Sequence, residues 1–501
     1  MKSKVHSHLL IRWIFLRMIA LCFLAAFLSM LVQILGLYGQ NGIIPISLLL
    51  AWQPEYSADI VLRVPSIFWL NSSDSFLQLV CVAGAAFSTL ALCGVLTGPM
   101  LLLGWFLYLS ICSVGQDFMS FQWDSLLLET GLLAAFFAPW RMQEPMPLSP
   151  EFKKQPEGSL IFLWLIRLLL FKLMFLSGLV KIASGDKAWH DMTALDYHYE
   201  TQPLPAPLAW LVAKFPELIQ KMSTFLMFVI ELGFPFLIFG IRPLRMLAVG
   251  GLVFLQLLII ATGNYAFFNW LTIALSLAAA DDQMLSGVLP RSLRMSLEMH
   301  ALTLRSKISE TWKFIIPGVI IGTISLGFFA NTFLTSTIVP PPVKWLIGLA
   351  DPLRSFNTYG LFAIMTTTRP EIVIEGSNDG QTWIEYEFKY KPGNIKRMPP
   401  SVAPHQPRMD WQMWFASLAP DRVAPWFSLL IDRLLQGSPS VIALFDHNPF
   451  PDGPPKVIRA VLYEYHFSDA DGLLKRGQWW TRKPIGTYME ARQRAGNQPT
   501  F

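Results

Sequence analysis

Long apolar runs separated by short polar stretches occupy the first two thirds of the chain, and a membrane-spanning helix needs about 20 mostly apolar residues. Nine runs are candidates for this role: residues 18–38, 74–96, 99–115, 123–139, 159–181, 223–241, 246–263, 267–280 and 314–338. The eighth run is short and almost continuous with the seventh, so eight or ten spans also fit the pattern. A further apolar piece, residues 43–52, is too short to cross and is predicted to be re-entrant or interfacial. The pattern predicts a multi-pass α-helical membrane protein with about nine transmembrane helices.

A different pattern begins near residue 340. The sequence "PPPVKW", from Pro340 to Trp345, is a stiff exit from the membrane. Beyond it, alternating apolar and polar positions indicate β-strands, and apolar residues at helical spacing after a proline indicate a helix. The predicted elements are a β-hairpin over residues 371–391 with its turn at 378–380, a helix over 425–436, and a further strand over 456–468. We therefore predict a transmembrane helical domain over residues 1–339 and a β-rich extramembrane domain over residues 340–501.

The composition supports a membrane protein and excludes other classes. Of the 501 residues, 53% are hydrophobic and only 15% are charged, which is too apolar for a soluble protein of this size. The net charge of +5 comes from short basic clusters beside apolar runs, a pattern typical of topology signals, and no nucleic-acid partner is expected. The four cysteines lie in apolar segments without metal-ligand spacing and are predicted to be packing residues.

The distribution of lysine and arginine predicts how the chain is oriented in the membrane. With nine spans and a cytosolic N-terminus, the inner loops carry 14 basic residues, and the outer loops before the last span carry 5. Basic residues favour the cytosolic side, so the C-terminal domain is predicted to be non-cytosolic. The same layout brings four polar stretches to that side, where we expect them to share a surface or cleft: residues 115–124, 178–191, 196–207 and 263–270.

Six ionisable residues are predicted to lie at membrane depth: Asp124, Glu129, Arg167, Lys172, Lys181 and Glu231. An unpaired charge in the hydrocarbon core costs several kcal/mol, so carboxylates and amines on neighbouring helices are expected to pair. Two interpretations stay open at this point. The pairs either form a lattice that fixes the register of the helices, or they belong to a working site.

The sequence lacks the signatures of common catalytic sites. No G-x-S-x-G nucleophile elbow, Walker loop, G-x-G-x-x-G or H-E-x-x-H is present, so neither a serine lipase nor an ATP-driven machine is expected. One segment carries residue types that bind metals, but their spacing matches no tight ligand pattern: His190, Asp191, Asp196, His198 and Glu200. No metal and no cofactor are therefore predicted.

The C-terminal domain contains two clusters of tryptophan and arginine, at residues 404–416 and 476–484. Such residues anchor protein interfaces, and they also fill small cores. Two clusters in one small domain favour protein recognition. Five side chains are therefore candidates for contact with a client protein: Arg408, Trp411, Trp414, Trp479 and Trp480.

Several stretches of the chain resemble the lipase maturation factor family. The likeness covers most of the chain and is most specific at residues 170–210, "LFKLMFLSGLVKIASGDKAWHDMTALDYHYETQPLPAPLAW", and at residues 351–394. The resemblance implies a multi-pass protein, of the endoplasmic reticulum in animals, that helps secreted dimeric lipases such as lipoprotein lipase reach an active state. It also implies a chaperone-like factor rather than a hydrolase, with recognition of the client in the lumenal part after Pro340.

The membrane half is also distantly similar to the transmembrane domain of vitamin K-dependent γ-carboxylases. In those enzymes a lysine that follows "GL" at the end of a span is the base that deprotonates the reduced quinone. Lys181 in "SGLVKIA" occupies the matching position. This likeness implies an alternative function, that of an integral-membrane enzyme acting on a quinone or lipid-like substrate with Lys181 as base.

The cellular compartment depends on the kind of organism. The C-terminal domain has no cysteine, whereas many animal secretory-pathway proteins use disulfides, so a bacterial relative is also considered. We expect the endoplasmic reticulum membrane in a eukaryote and the cytoplasmic membrane in a bacterium. The expected partners are a secreted lipase or another exported protein, together with membrane lipid.

Overall fold

The structure is a computed structural model that describes residues 8–52, 60–147, 149–155, 158–285, 315–333 and 339–494. Up to residue 350 the described chain forms helices joined by short loops. In chain order they are α1 (Leu9–Leu31), α2 (Ile34–Tyr38), α3 (Ile46–Trp52), α4 (Ile60–Arg63), α5 (Asp74–Leu92), α6 (Thr97–Val114), α7 (Gln122–Phe137), α8 (Leu160–Ala183), α9 (Lys187–His190), α10 (Ala194–Thr201), α11 (Pro207–Val212), α12 (Glu217–Phe228), α13 (Phe234–Leu237), α14 (Arg242–Thr262), α15 (Phe268–Ala278), α16 (Ile315–Phe333) and α17 (Pro341–Ala350).

Within the described residues, six helices are long and apolar enough to cross a membrane: α1, α5, α6, α8, α14 and the continuous segment Glu217–Leu237 that contains α12 and α13. They match the first, second, third, fifth, sixth and seventh predicted spans, and the chain is a multi-pass helical membrane protein. The other three predicted spans are shorter helices. α7 has 16 residues, α15 has 11, and the apolar part of α16 is Ile315–Ala330. At a rise of about 1.5 Å per residue these three helices are shorter than a hydrocarbon core of about 30 Å. The prediction of nine transmembrane helices therefore holds only if these three also cross the membrane.

The first helix lies at the centre of the membrane half, where α1 contacts α5, α7 and α15. Large rings of α1 fit against the neighbouring backbones because those helices carry glycine at the contacts. A Cβ atom on Gly84 of α5 would overlap the ring of Phe27, and one on Gly131 of α7 would overlap the ring of Phe23. Small residues thus allow close helix packing here, as is common between membrane helices. The apolar piece at residues 43–52 contains α3, which at 7 residues is too short to cross.

The C-terminal domain is built on a four-stranded antiparallel sheet with helices between the strands. Its elements are β1 (Pro370–Ser377), β2 (Ile384–Glu385), α18 (Arg408–Ser417), α19 (Pro425–Leu435), α20 (Pro439–Ile442), β3 (Val457–Phe467), α21 (Ala470–Arg476) and β4 (Trp480–Gln493), and the strand order is β2-β1-β3-β4. The predicted hairpin, helix and later strand correspond to β1–β2, α19 and β3. The sequence did not predict β4, which runs along the edge of the sheet.

The predicted turn of the hairpin lies between β1 and β2. Gly380 has a φ of 75°, a conformation that glycine adopts without strain. The carboxylate of Asp379 accepts the backbone N–H groups of Thr382 and Gln381 and the hydroxyl of Ser377, which together hold its pKa well below the ordinary value. The second strand is shorter than predicted: after the Tyr386 N–H donates to the Ile374 carbonyl of β1 at 2.8 Å, the chain leaves β1, and Phe388 forms a bridge with Phe445 instead.

Candidate functional site

The C-terminal domain covers the face of the membrane half that carries the four polar stretches. Each stretch accepts at least one hydrogen bond from it: Arg408 Nη1 donates to the carbonyl of Phe118 (2.6 Å), the Met365 N–H to Asp186 Oδ2 (2.7 Å), Trp414 Nε1 to the carbonyl of Thr201 (2.9 Å), and the Val402 N–H to Asn264 Oδ1 (2.7 Å). The predicted shared surface therefore exists, and in this structure it is the surface on which the second domain docks.

Asp124 at the start of α7 binds Arg408 at the start of α18. The guanidinium donates two hydrogen bonds of 2.8 Å, one to each carboxylate oxygen, and Tyr108 donates to the same carboxylate at 2.5 Å. The aspartate and arginine side chains are 2% and 1% exposed. Two parallel charge-assisted bonds fix both the distance and the angle between the partners, so this pair holds α18 against the membrane half.

Glu129, slightly more than one turn further along α7, forms a second link between the domains. Its Oε1 lies 2.7 Å from Lys172 Nζ of α8, and its Oε2 accepts the Tyr359 hydroxyl at 2.6 Å and the Asn357 N–H at 3.1 Å. Lys172 also donates to Ser325 Oγ of α16 at 2.9 Å. One buried carboxylate therefore joins α7 and α8 to the segment that leads into the C-terminal sheet.

Lys181 and Glu231 form a third ion pair, which lies within the membrane half. Lys181 Nζ is 2.7 Å from Glu231 Oε2, donates to the Ser177 carbonyl at 3.0 Å and lies 5.4 Å from the ring centre of Trp189. Glu231 lies in a π-helical turn, Val229–Gly233. The turn has a local cause, since Pro235 follows four residues later and cannot donate to the Glu231 carbonyl. The nitrogen of Lys181 is thus surrounded by groups of the protein itself.

Arg167, the remaining intramembrane candidate, lies near the end of a helix. It donates to the carbonyls of Ala278 and Ala279 at 3.4 Å, beside the C-terminus of α15. The last carbonyls of a helix have no partner within the helix, and a cation near them is favourable. The six predicted residues therefore do not meet in one cleft. Five of them belong to three separate ion pairs, in which Arg408 is the partner of Asp124. Arg167 instead caps the C-terminus of α15.

The five tryptophan and arginine candidates lie in different environments. Arg408 is buried in the pair with Asp124, and Trp480 is buried against Phe467 of β3. Both side chains are enclosed in this structure, so client contact by these two stays a prediction that would require them to become exposed. Trp479 is partly exposed and packs edge-to-face with Trp210. For Trp479, and for Trp411 and Trp414 at the cavity described next, contact with a client stays a prediction.

A cavity of about 470 Å³ lies between the two domains. Its floor consists of buried aromatic side chains, namely Phe121, Trp123, Tyr265, Trp411 and Trp414, and its rim includes the exposed apolar side chains Ile364, Phe415 and Leu418. The rings of Trp123 and Trp411 meet edge-to-face with their centres 4.6 Å apart. Sequence analysis did not predict this cavity, because its walls come from segments that are almost 300 residues apart.

The residue types that could bind a metal are dispersed. Among the residues that the structure describes, no group of three or more His, Cys, Asp or Glu side chains could hold a metal ion. Glu200 accepts the N–H of Phe467 and lies 2.8 Å from His466 Nδ1, so it contacts the sheet. Desolvation, and in second place the charge of Lys181, lower the pKa of His198 to about 4, which leaves its imidazole neutral at pH 7.

Comparison with known proteins accounts for both halves of the chain. Residues 10–287 match the family model described as the lipase maturation factor transmembrane domain, and residues 355–490 match the lipase maturation factor C-terminal domain. The chain belongs to the lipase maturation factor family. It is 37% identical to human lipase maturation factor 2 over 95% of this chain and 82% of that protein. It is 33% identical to mouse lipase maturation factor 1 over 96% of this chain and 86% of that protein.

No solved structure matches this chain. The two matched regions correspond to the membrane half and the C-terminal domain, and the buried contacts of Asp124 and Glu129 join them. Asp124 and Glu129 belong to the first matched region, and their partners Arg408 and Tyr359 belong to the second. In this structure, charge-assisted contacts therefore fix the C-terminal domain to the membrane domain.

Proposed function

We propose that this chain is a membrane-embedded lipase maturation factor that assists the folding of secreted lipases through a non-cytosolic C-terminal domain. Family membership supports the role in lipase maturation, because relatives that match almost the whole chain carry that name. The observation that carries the mechanism is the docking of the C-terminal domain by the Asp124–Arg408 and Glu129–Tyr359 contacts. A domain held at the membrane surface in one orientation can meet a newly translocated client as it emerges.

The proposed orientation places the C-terminal domain in the lumen of the endoplasmic reticulum in a eukaryote, or outside the cytoplasmic membrane in a bacterium. It is supported by the excess of basic residues in the loops predicted to be cytosolic, 14 against 5. The partners that we propose are a secreted lipase or another exported protein, with membrane lipid around the spans.

We propose a structural rather than a catalytic role for Lys181. A lysine that acts as a base must direct its nitrogen at the proton of a substrate. The nitrogen of Lys181 is directed at groups of the protein, with a carboxylate at 2.7 Å, a carbonyl at 3.0 Å and the face of an indole ring. These contacts favour the ion-pair lattice over the carboxylase-like alternative.

The proposed function predicts rescue of lipase maturation in cells that lack their own lipase maturation factors. Expression of the full chain is expected to raise the secreted activity per unit of lipase protein severalfold, because more of the lipase reaches its native state. The client is a secreted lipase from the same organism, and a secreted protein that is not a lipase is the control. A chain that is stably inserted in the membrane and leaves lipase-specific activity unchanged would contradict the proposal.

The same cells distinguish the two roles of Lys181. The double substitution Lys181→Met with Glu231→Leu replaces both buried charges together, which avoids leaving one of them unpaired. With a structural lysine, rescue by the double variant stays near that of the unsubstituted chain. Loss of rescue in a variant with a normal expression level and a normal unfolding temperature would favour the alternative, an enzyme with Lys181 as base.

A further inference from the structure

The cavity between the domains has the size and position of a ligand site. Its volume of about 470 Å³ lies within the range of about 300–1,000 Å³ that is typical of small-molecule pockets, which often form between domains. Phe121 and Trp123 contribute from the membrane half, and Trp411 and Trp414 contribute from α18. Neither domain forms this site without the other.

None of the described residues that line the cavity carries an ionisable carboxylate, amine, guanidinium or imidazole. The lining consists of aromatic and aliphatic side chains with a few neutral polar groups. A charged ligand would lose its hydration without gaining a counter-charge, which is strongly unfavourable in an apolar site. The lining therefore selects an uncharged ligand.

Four neutral polar side chains of the lining are already bonded within the protein, namely Ser120, Gln122, Tyr265 and Gln412. Gln122 exchanges hydrogen bonds with the backbone of Gly360, at 3.0 Å and 3.2 Å. The hydroxyl of Tyr265 donates to Gln202 at 3.0 Å, and Gln412 donates to the carbonyl of Asp117. A peptide in the cavity would bury backbone N–H and C=O groups with few partners. A hydrocarbon chain has no such groups, so the lining favours an acyl chain over a peptide segment.

The cavity lies where helices of the membrane half end. Phe121 directly precedes α7, and Tyr265 lies in the short loop between α14 and α15. In the floor, the indole N–H groups of Trp123 and Trp411 are buried without an acceptor. A ligand oxygen that reached either N–H group would satisfy a buried donor that has no acceptor among the described residues. We propose that this cavity binds an uncharged, single-chain acyl ester, with its chain against the aromatic floor; the proposal is independent of the proposed function.

Photolabelling of the purified full-length chain tests this inference. The probe is a monoacylglycerol with a diazirine in its acyl chain, and labelled peptides are identified by mass spectrometry. We expect adducts within residues 360–366 and 411–418, and we expect excess unlabelled monoacylglycerol to remove them. A fatty acid carboxylate is expected to compete less well, because the lining offers it no cation.

Variants at the rim make the test specific, because their side chains are exposed and their replacement leaves the core intact. Phe415→Arg and Leu418→Arg each place a charge at the entrance and are expected to reduce labelling about tenfold. Leu429→Arg is the matched control, since Leu429 is 44% exposed on α19, Leu418 is 38% exposed, and only Leu418 lines the cavity. Adducts confined to lipid-facing helices, labelling of both rim variants at the level of the unsubstituted chain, or displacement by an apolar peptide but not by monoacylglycerol would each overturn the proposal. If a rim variant fails to fold, the position of the adducts on the unsubstituted chain decides.

Discussion

Replacing Arg408 with methionine is expected to lower the free energy of unfolding by about 3–5 kcal/mol. The substitution leaves the carboxylate of Asp124 buried with the Tyr108 hydroxyl as its one side-chain partner among the described residues, and it removes the donor to the Phe118 carbonyl. An uncompensated buried charge is far costlier than the loss of a surface pair. The measurement is the unfolding transition of the purified full-length chain in mixed micelles, followed by tryptophan fluorescence.

Two further variants show whether the buried charge is the cause. Arg492→Met removes a similar ion pair with Asp432 at the protein surface, and we expect a loss of roughly 1 kcal/mol or less. The double substitution Asp124→Leu with Arg408→Met is expected to recover part of the stability, since neither charge is then left alone. Equal effects of Arg408→Met and Arg492→Met would show that the Asp124–Arg408 pair does not hold the domains together.

Replacing Glu129 with leucine is expected to destabilise the chain by a similar amount, about 3–5 kcal/mol. The change leaves the ammonium of Lys172 buried without its carboxylate, and it removes the acceptor of both the Tyr359 hydroxyl and the Asn357 N–H. Because two of these partners belong to the segment before the sheet, docking should weaken together with stability. The measurement combines the unfolding transition with the rate of proteolysis of residues 351–369.

Lys172→Met is the matched comparison for that prediction. It leaves the carboxylate of Glu129 with two hydrogen bonds from the C-terminal segment, so proteolysis of that segment should rise less than in Glu129→Leu. Equal proteolysis in the two variants would mean that Glu129 acts only through Lys172 and does not itself fix the C-terminal segment.

The hydrophobic pattern predicted the helices of the membrane half well, because a lipid-facing span must be apolar over its whole length. It predicted β3 and α19 for a similar reason, since each has one buried face and a regular period, whereas β1 is buried on both faces and was predicted from its apolar run before a turn. The pattern failed for β4, where Lys483, Pro484 and Gly486 interrupt any alternation. An edge strand exposed on much of its surface has little need of apolar residues.

The candidate site was predicted less completely than the fold. Pairing of the intramembrane charges follows from their cost in lipid, but the choice of partners depends on how the helices pack. Nothing in the sequence near Asp124 indicates that its partner is Arg408, which is 284 residues away. Tyr359 was missed as well, because a tyrosine in a polar stretch carries no signal of burial. For Trp480, composition could not distinguish an interface residue from a core residue.

Site-specific photocrosslinking of the full-length chain to a newly made lipase tests the central claim most directly. A photoreactive amino acid is placed at Leu474 in the C-terminal domain, which is 83% exposed, and in a parallel variant at Met142 beyond the opposite end of α7, which is 73% exposed. If the C-terminal domain is non-cytosolic and meets the client, Leu474 gives adducts with the immature lipase and Met142 gives none. Adducts from Met142 but not from Leu474 would contradict the proposed orientation and the proposed client-facing domain together.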